Sequence, residues 1–360
     1  MDKVLLGHGS GGRLMHQLVR DYFVPEFGMK DLSDAAVIDI FAEYGLPPHP
    51  PLGKGGQKGG RLAFTTDSYV VSPIFFPGGD IGDLAVNGTV NDLSMVGAKP
   101  LYLSAGFIIE EGFPMDDLKK VLSSMSAAAK KAGVSIIAGD TKVVDRGKGD
   151  GIFINTSGIG FVPEGVDLGP KKIRAGDKVI ISGPIGSHGI AVLAQRNGLT
   201  FDPPVISDTA PLNGLVELML PPPFPPLIKG GAGGVRMMRD PTRGGVATTL
   251  KEMALESGCC ITIHERDMPV PGGVKGACEL LGLDPLFVAN EGILVAVVSP
   301  DVAGPLVEKM RSHEYGRNSM IIGEVSSDGP RSTGMVLLRT EIGGTRIVDM
   351  LAGEQLPRIC

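Results

Sequence analysis

Aspartates beside glycine, asparagine or threonine recur along this chain of 360 residues. Mg²⁺ takes carboxylate oxygens as ligands and bridges nucleotide phosphates, so several aspartates near one groove would suit ATP and Mg²⁺. Any one of these motifs is more typical of an ordinary turn or helix cap, and the prediction therefore depends on their number. The residues are Asp67 (TTDS), Asp80 and Asp83 (PGGDIGD), Asn91 and Asp92 (NDLS), Asp140 (GDTK) and Asp240 (RDPTRGG).

The common phosphate-binding motifs do not occur in their usual sequence context. No GxxxxGK[ST] occurs and no GxGxxG follows a predicted strand, so a P-loop or a dinucleotide-binding fold is excluded. Backbone N–H groups at Gly9, Gly11 and Gly12 in GHGSGGR could instead surround phosphates, although a loose N-terminal segment explains these glycines equally well. His188 in GSHG is more simply an ordinary loop histidine than a phosphate ligand.

The sequence ends in a cysteine, Cys360, within GEQLPRIC. A thiol is the strongest intrinsic nucleophile among common side chains, so Cys360 could carry a reactive group. From the residues alone, an incidental terminal cysteine is the simpler explanation. Cys259, Cys260 and Cys278 lie in apolar or helical stretches, which favours packing roles. No CxxC spacing is present, so neither a zinc site nor a disulfide framework is predicted.

Strand-like and helix-like patterns alternate along the chain, which predicts an α/β (α+β) fold of two domains. The first domain is expected over 1–168, with a flexible Pro/Gly/Lys-rich insertion at 45–60. The second is expected over 174–335, with a loop-rich segment at 203–234. Residues 336–360 are expected to form a strand and an exposed, mobile tail. Helical spacing predicts helices over 14–27, 81–96, 115–132 and near 212–219.

The charge and hydropathy patterns exclude two classes of partner. The net charge is −6 and no basic run occurs, so nucleic-acid binding is not expected. No uncharged apolar stretch reaches the ~18 residues of a membrane span, and the N-terminus lacks an apolar signal segment. We therefore expect a cytoplasmic protein without membrane contact.

The ordered motifs, from GHGSGGRL through TTDS, RDPTRGG and ANEG to the terminal PRIC, resemble the PurM-like ATP-binding superfamily and, within it, the HypE family of hydrogenase maturation proteins. The similarity covers nearly the whole chain, apart from 45–60 and 203–234. It implies a PurM-like two-domain fold, ATP and Mg²⁺ as cofactors, and a homodimer that pairs strands of its N-terminal halves. It also implies two partners, a HypF-type carbamoyltransferase and a HypC–HypD complex.

The resemblance further implies a chemistry for the terminal thiol. Cys360 would receive a carbamoyl group, and ATP-dependent dehydration would convert it to a thiocyanate that supplies cyanide to the iron of [NiFe]-hydrogenase. Lys142 in GDTK and Glu291 in ANEG would move the protons, although each could be a plain strand-end or turn residue. The implied metal ligands are Asp67, Asp92, Asp140 and Asp240. The implied nucleotide contacts are these aspartates with Gly9, Gly11, Gly12, Asp83 and Asn91.

Two alternatives stay open at this point. A small-molecule kinase or a selenophosphate synthetase of the same superfamily would not need a terminal cysteine. A nucleotide-responsive scaffold would bind ATP and dock partners through the tail without turning ATP over.

Overall fold

The computed structural model describes residues 12–27, 34–38, 61–220, 234–326, 334–351 and 358–360. The predicted insertion at 45–60 and the glycines Gly9 and Gly11 lie outside these described residues. The same holds for 221–233 within the predicted loop-rich segment.

The first half of the chain folds into a five-stranded sheet with helices against one face. Its elements are α1 (Arg13–Leu18), a π-helical turn (Val19–Phe23), α2 (Val24–Phe27), β1 (Ala36–Ile38), β2 (Arg61–Tyr69), a small hairpin of β3 (Phe75–Phe76) and β4 (Gly79–Asp80), α3 (Ile81–Met95), β5 (Lys99–Glu110), α4 (Met115–Ala132), β6 (Ser135–Val144) and β7 (Ile152–Val162). The strand order is β1-β2-β7-β5-β6, and only β5 and β6 run parallel.

Two helices of this half begin or end at recognisable sequence signals. The amphipathic helix α4 spans the predicted range and stops at Gly133, whose φ of 71° lies in the left-handed region that favours glycine. The helix α3 begins with a capping box, in which the Asp80 carboxylate accepts from two backbone N–H groups and the Asp83 carboxylate accepts from the Asp80 N–H. Almost all of α3 is buried because it lies between the first sheet and the second half of the chain.

The second half of the chain forms a seven-stranded sheet with helices on both faces. Its elements are β8 (Lys178–Ile181), α5 (Ser187–Asn197), α6 (Asn213–Met219), β9 (Val235–Arg239), α7 (Gly245–Ser257), β10 (Cys260–His264), α8 (Gly272–Leu281), β11 (Val295–Val298), α9 (Pro300–Arg311), β12 (Met320–Ser326), β13 (Val336–Arg339) and β14 (Thr345–Val348). Short 3₁₀ turns occur at Pro170–Lys172, Glu265–Asp267, Pro285–Phe287 and Glu314–Gly316. The strand order is β14-β13-β10-β12-β8-β11-β9.

The two sheets confirm the predicted α/β (α+β) class, and α6 confirms the helix predicted near 212–219. The strand predicted within 336–360 is present as β14, and a further strand, β13, precedes it. The strand β13 pairs in parallel with β10, and β14 closes that edge of the second sheet. The predicted division at 168–174 falls in the connection between β7 and β8 and stays a prediction. Within the described part of the chain, no helix is both long and apolar enough to cross a bilayer.

We expect Leu84→Ala to destabilise the fold far more than Leu122→Ala. Leu84 in α3 is fully buried, whereas Leu122 in α4 is 44% exposed. Truncating a buried leucine costs about 2–5 kcal/mol through lost burial and a residual cavity, whereas a surface change stays within about 0.5 kcal/mol. Urea denaturation followed by circular dichroism measures both free energies of unfolding. Equal losses in the two variants would contradict this packing of α3.

Candidate active site

The last three residues of the chain are docked in the protein rather than exposed. The Val70 N–H donates to the Cys360 carbonyl at 3.1 Å, and the Ser72 N–H donates to the Arg358 carbonyl at 3.2 Å. Ile359 and Cys360 are only 4% and 6% exposed, and both pack in the core of the first domain. The expected exposed tail is therefore wrong for these residues. Three residues can pair with a strand end without any periodicity in their sequence.

Two side chains hold the backbone of this docked tail. His188 Nε2 lies 2.9 Å from the Ile359 carbonyl oxygen, and Nδ1 lies 2.8 Å from the Ser207 hydroxyl. A carbonyl oxygen only accepts, so Nε2 carries the proton; burial lowers the pKa of His188 to about 4 and keeps the ring neutral. Arg196 Nη2 donates to the Arg358 carbonyl at 2.7 Å. In this structure His188 binds the tail and has no free ring nitrogen for a phosphate.

The thiol of Cys360 lies against a guanidinium group. Arg243 Nε donates to Cys360 Sγ at 3.0 Å, and Arg243 Nη2 donates to Asp67 Oδ1 at 3.3 Å. Burial raises the pKa of Cys360 to about 12, although the positive charge of Arg243 opposes the rise. The docked thiol is thus protonated at neutral pH and is a weak nucleophile in this position.

A cluster of carboxylates continues from Asp67 into the protein. Asp240 is buried and Asp92 is half-buried, and Thr65 Oγ1 donates to Asp92 Oδ2 at 2.9 Å. Burial first, and then the charges of Asp240, Asp67 and Asp34, raise the pKa of Asp92 well above its usual range. Burial and the charge of Asp34 likewise raise the pKa of Asp240 to about 8. Such a cluster favours a bound cation, which would let the carboxylates ionise together.

The donor set of this cluster fits Mg²⁺ held jointly with a nucleotide. Among the described residues, no group of three His, Cys, Asp or Glu side chains forms a complete metal site. Mg²⁺ commonly takes only one or two protein carboxylates and completes its octahedron with phosphate oxygens and water. Asp67, Asp92 and Asp240 are the predicted ligands that the structure brings into one cluster.

Glu291 belongs to the same buried region. It is 3% exposed, and Oε1 has no hydrogen-bond partner among the described residues. Burial and the charges of Asp240, Asp208 and Asp67 raise the pKa of Glu291 well above its usual range. The Asp208 carboxylate accepts from the N–H groups of Glu291 and Gly292 at 3.2–3.3 Å and so fixes this turn. A strongly basic carboxylate with one oxygen outside any hydrogen bond suits a general base.

The turn that carries Asp240 and Arg243 is attached to the turn that carries Glu291. The backbone N–H and the Nδ2 of Asn290 both donate to the Pro241 carbonyl, at 3.1 and 3.0 Å. The turn then enters α7 through Gly244, whose φ of 76° few other residues adopt easily. These contacts hold the backbones of the two turns that carry Arg243 and Glu291 against each other.

Two residues predicted to contact nucleotide, Asn91 and Asp83, make structural hydrogen bonds, and the predicted contact of Asp83 stays a prediction. The Asn91 side chain is fully buried: Nδ2 donates to the carbonyls of Ala210 and Glu291, and Oδ1 accepts from the Leu212 N–H. Its amide has no free atom for a ligand, so the predicted contact of Asn91 does not fit. Asp83 caps α3, and burial raises the pKa of its carboxyl to about 7.

The structure separates Asp140 and Lys142 from the acidic cluster within one subunit. Both are exposed on β6, where Lys142 Nζ lies 2.8 Å from Asp140 Oδ2 and lowers the pKa of this carboxyl. In register they align with Gly106 and Ile108 on the face of the first sheet that turns away from α3 and α4. The prediction that they join the other aspartates is wrong for a single subunit, because alternate residues of a strand point to opposite faces.

Several site residues were not found by sequence reasoning. Arg243 lies in the RDPTRGG motif but has none of the turn chemistry that drew attention to Asp240. Asp34 was missed because a lone aspartate before the three-residue strand β1 has no pattern around it. Gly12, the described part of the glycine motif, is buried where α1 begins. Its proposed phosphate contact stays a prediction.

Comparison with known proteins gives a consistent result. Residues 33–162 match the family model of the AIR synthase related protein, N-terminal domain, and residues 174–334 match the C-terminal domain. The carbamoyl dehydratase HypE of Bradyrhizobium diazoefficiens is 51% identical over 358 residues, which cover 99% of this chain and 95% of that protein. These matches span both sheets of the fold.

Solved structures agree with the sequence matches. A HypE–HypF complex contains a chain with TM-score 0.80 and 48% identity, covering 93% of this chain and 99% of that one. A HypE in complex with ATP has TM-score 0.77 and 44% identity, covering 99% and 100% of the two chains. The predicted superfamily and fold are confirmed, and the chain belongs to the HypE family.

Proposed function

We propose that this chain uses ATP to dehydrate a carbamoyl group carried on its own Cys360, which leaves a protein thiocyanate. One observation carries the proposal: the terminal thiol is docked against Arg243, which also contacts Asp67 of the acidic cluster. A group on Sγ would lie beside these charges and near the carboxyl of Glu291. The name carbamoyl dehydratase for one relative and the ATP complex of another support it.

Loss of water from a thiocarbamate requires that its oxygen become a leaving group. In the proposed reaction the carbamoyl oxygen bonds to the γ-phosphorus of ATP while the bond from that phosphorus to ADP breaks. Both N–H protons then leave, the C–O bond breaks and the C≡N bond forms. The products are thiocyanate, ADP and phosphate, with one proton on the phosphate and one released.

Different residues of the described chain would remove the proton, hold the metal ion and position the base. Glu291, buried and without a hydrogen bond at Oε1, takes a proton from the carbamoyl nitrogen. One or two of Asp67, Asp92 and Asp240 would hold Mg²⁺, which supplies charge neutralisation for the phosphates when bound. Asp208 keeps the backbone of Glu291 in place.

The raised pKa of the docked thiol indicates that the carbamoyl group is loaded elsewhere. A protonated, 6% exposed thiol can neither attack a donor nor reach a second protein. We propose that the tail leaves its docking position to meet a HypF-type carbamoyltransferase, returns for dehydration, and leaves again to pass cyanide to a HypC–HypD complex. The solved complex of a relative with HypF supports the first of these encounters.

A homodimer explains why Lys142 lies on the opposite face of the first sheet. That face exposes a patch of large side chains in neighbouring registers, each 41–48% exposed, namely Phe64, Tyr102, Ile108, Ile159 and Phe161. Burial of such a patch against a second copy would be favourable. We propose that this contact brings Asp140 and Lys142 of one subunit to the active site of the other.

Intact-mass spectrometry tests the central proposal. With a carbamoyl donor system, Cys360 should gain the mass of one carbamoyl group, and subsequent ATP should remove the mass of one water. Cys360→Ala should show neither change. Binding of ATP without water loss would favour a scaffold, and product formation on a free small molecule by Cys360→Ala would favour a small-molecule kinase.

Dehydration of the loaded protein should accelerate as pH rises. Glu291 acts as a base only when it is ionised, and its pKa lies well above the usual range. The dehydration rate should therefore keep rising up to a higher pH than it would with an ordinary carboxyl group as the base; we call this rise the rising limb. Glu291→Gln should load normally, dehydrate about 100-fold or more slowly, and lose this limb. Single-turnover rates across pH measure both effects. An unchanged limb in Glu291→Gln would remove Glu291 as the base.

Mixed dimers decide whether Lys142 acts in the partner subunit. Lys142→Ala and Glu291→Gln subunits, each with its own affinity tag, are co-expressed and the mixed dimer is purified. If Lys142 acts across the dimer, one of the two sites keeps both native residues, and about half of the wild-type dehydration returns. No recovery would place Lys142 and Glu291 in the same subunit's site.

A further inference from the structure

Arg243 connects the carrier thiol to the acidic cluster. Its Nε donates to Cys360 Sγ at 3.0 Å, and its Nη2 donates to Asp67 Oδ1 at 3.3 Å. The turn that carries Arg243 is held by Asn290 through the Pro241 carbonyl. The guanidinium is therefore a fixed positive charge between the group to be dehydrated and the carboxylates suited to hold Mg²⁺ and nucleotide.

Tail docking does not explain why an arginine occupies this position. The tail is already held by backbone bonds from Val70 and Ser72 and by the side chains of His188 and Arg196. Neutral packing around the thiol would serve docking equally well. A charged, partly desolvated guanidinium against a protonated thiol needs another reason.

We propose that Arg243 is a catalytic residue that binds the γ-phosphoryl group of ATP while this group moves to the carbamoyl oxygen on Cys360. The inference rests on the proposed function and adds a residue to it. The carbamoyl oxygen lies only one carbon beyond Sγ, so the group that contacts Sγ also reaches this oxygen. With Asp67 engaged by Mg²⁺, the Arg243 guanidinium would lie beside the phosphate oxygens that the same ion holds.

The chemistry of phosphoryl transfer favours arginine over lysine here. Negative charge spreads over the equatorial oxygens of the moving group, and a planar guanidinium offers several donors in a fixed fork. A guanidinium also keeps its positive charge throughout the physiological pH range. Lysine would keep the charge but could not contact sulfur, carbamoyl oxygen and phosphate together.

Nucleotide binding to the unloaded protein gives a test that needs no turnover. Calorimetric titration with ATP and with ADP, each with Mg²⁺, should show that Arg243→Lys loses about tenfold or more of the preference for ATP, because a charge-assisted contact to the γ-phosphate is removed. The matched control is Arg346→Lys, which alters a surface ion pair with Asp284. The control should keep the wild-type preference.

The second test uses protein that is already carbamoylated. In a single turnover, Arg243→Lys should form ADP about 100-fold more slowly than wild type, and Arg243→Ala should recover part of its rate with added guanidinium ion. Reaction of the unloaded Cys360 with a thiol reagent should stay close to wild type, because the tail remains docked.

Three results would overturn the role of Arg243: ADP formation close to wild type in Arg243→Lys, an unchanged preference for ATP, or a rise in thiol reactivity that matches the lost rate. The last would reduce Arg243 to a tail contact. Failure of the proposed function is a separate result, since the loaded wild-type protein would then lose no water with ATP.

Discussion

The pairing of the last three residues with residues 70–72 is the interaction on which this active site depends. Each hydrogen bond contributes about 0.5–1.5 kcal/mol net, and burying the Ile359 side chain adds roughly 1.5–3 kcal/mol. Ordering the backbone opposes docking by about 1–2 kcal/mol per residue. The net free energy of docking the tail is therefore close to zero. Docking is thus strong enough to bury a thiol and weak enough for a partner protein to compete.

The acidic cluster imposes a second constraint, because its carboxylates lie close together and are buried or half-buried. The pKa of Asp92, Asp240 and Glu291 is raised in each case first by burial and then by a neighbouring carboxylate. Protonation relieves this repulsion in the absence of a cation. A bound divalent cation would let the aspartates ionise, and the Arg243 guanidinium beside them would face the phosphates. Nucleotide, metal and arginine are coupled through the same few charges.

Much of this arrangement was predictable from the sequence, and the exceptions have physical causes. The helix ending at Gly133 and the aspartates at strand ends follow from local signals, and the ordered motifs identify the family. The predicted nucleotide contact of Asn91 does not fit because a buried amide that supports a turn occurs in the same sequence context as an amide that binds a ligand. The docked tail and Arg243 depend on contacts across more than 100 residues, which no local pattern encodes. Residue propensity and motif spacing depend on neighbours in the sequence, whereas the residues of this site are far apart in the sequence and close together in space.

The position of Lys142 bears on whether a single chain can supply every residue of the proposed dehydration. On the face of the first sheet that turns away from the helices, Lys142 of β6 lies beside Ile108 of β5, and Ile108 lies beside Phe153 of β7. The next strand is β2, and Cys360 is bound just beyond its end. Three strand spacings amount to about 14 Å, which exceeds the reach of a lysine side chain, and the sheet itself stands between them. A lysine needed at the thiol must therefore come from another copy, and the exposed apolar face beside it offers the surface on which that copy would sit. One face of the first sheet would then bury Cys360, and the opposite face would present Lys142 to the partner subunit.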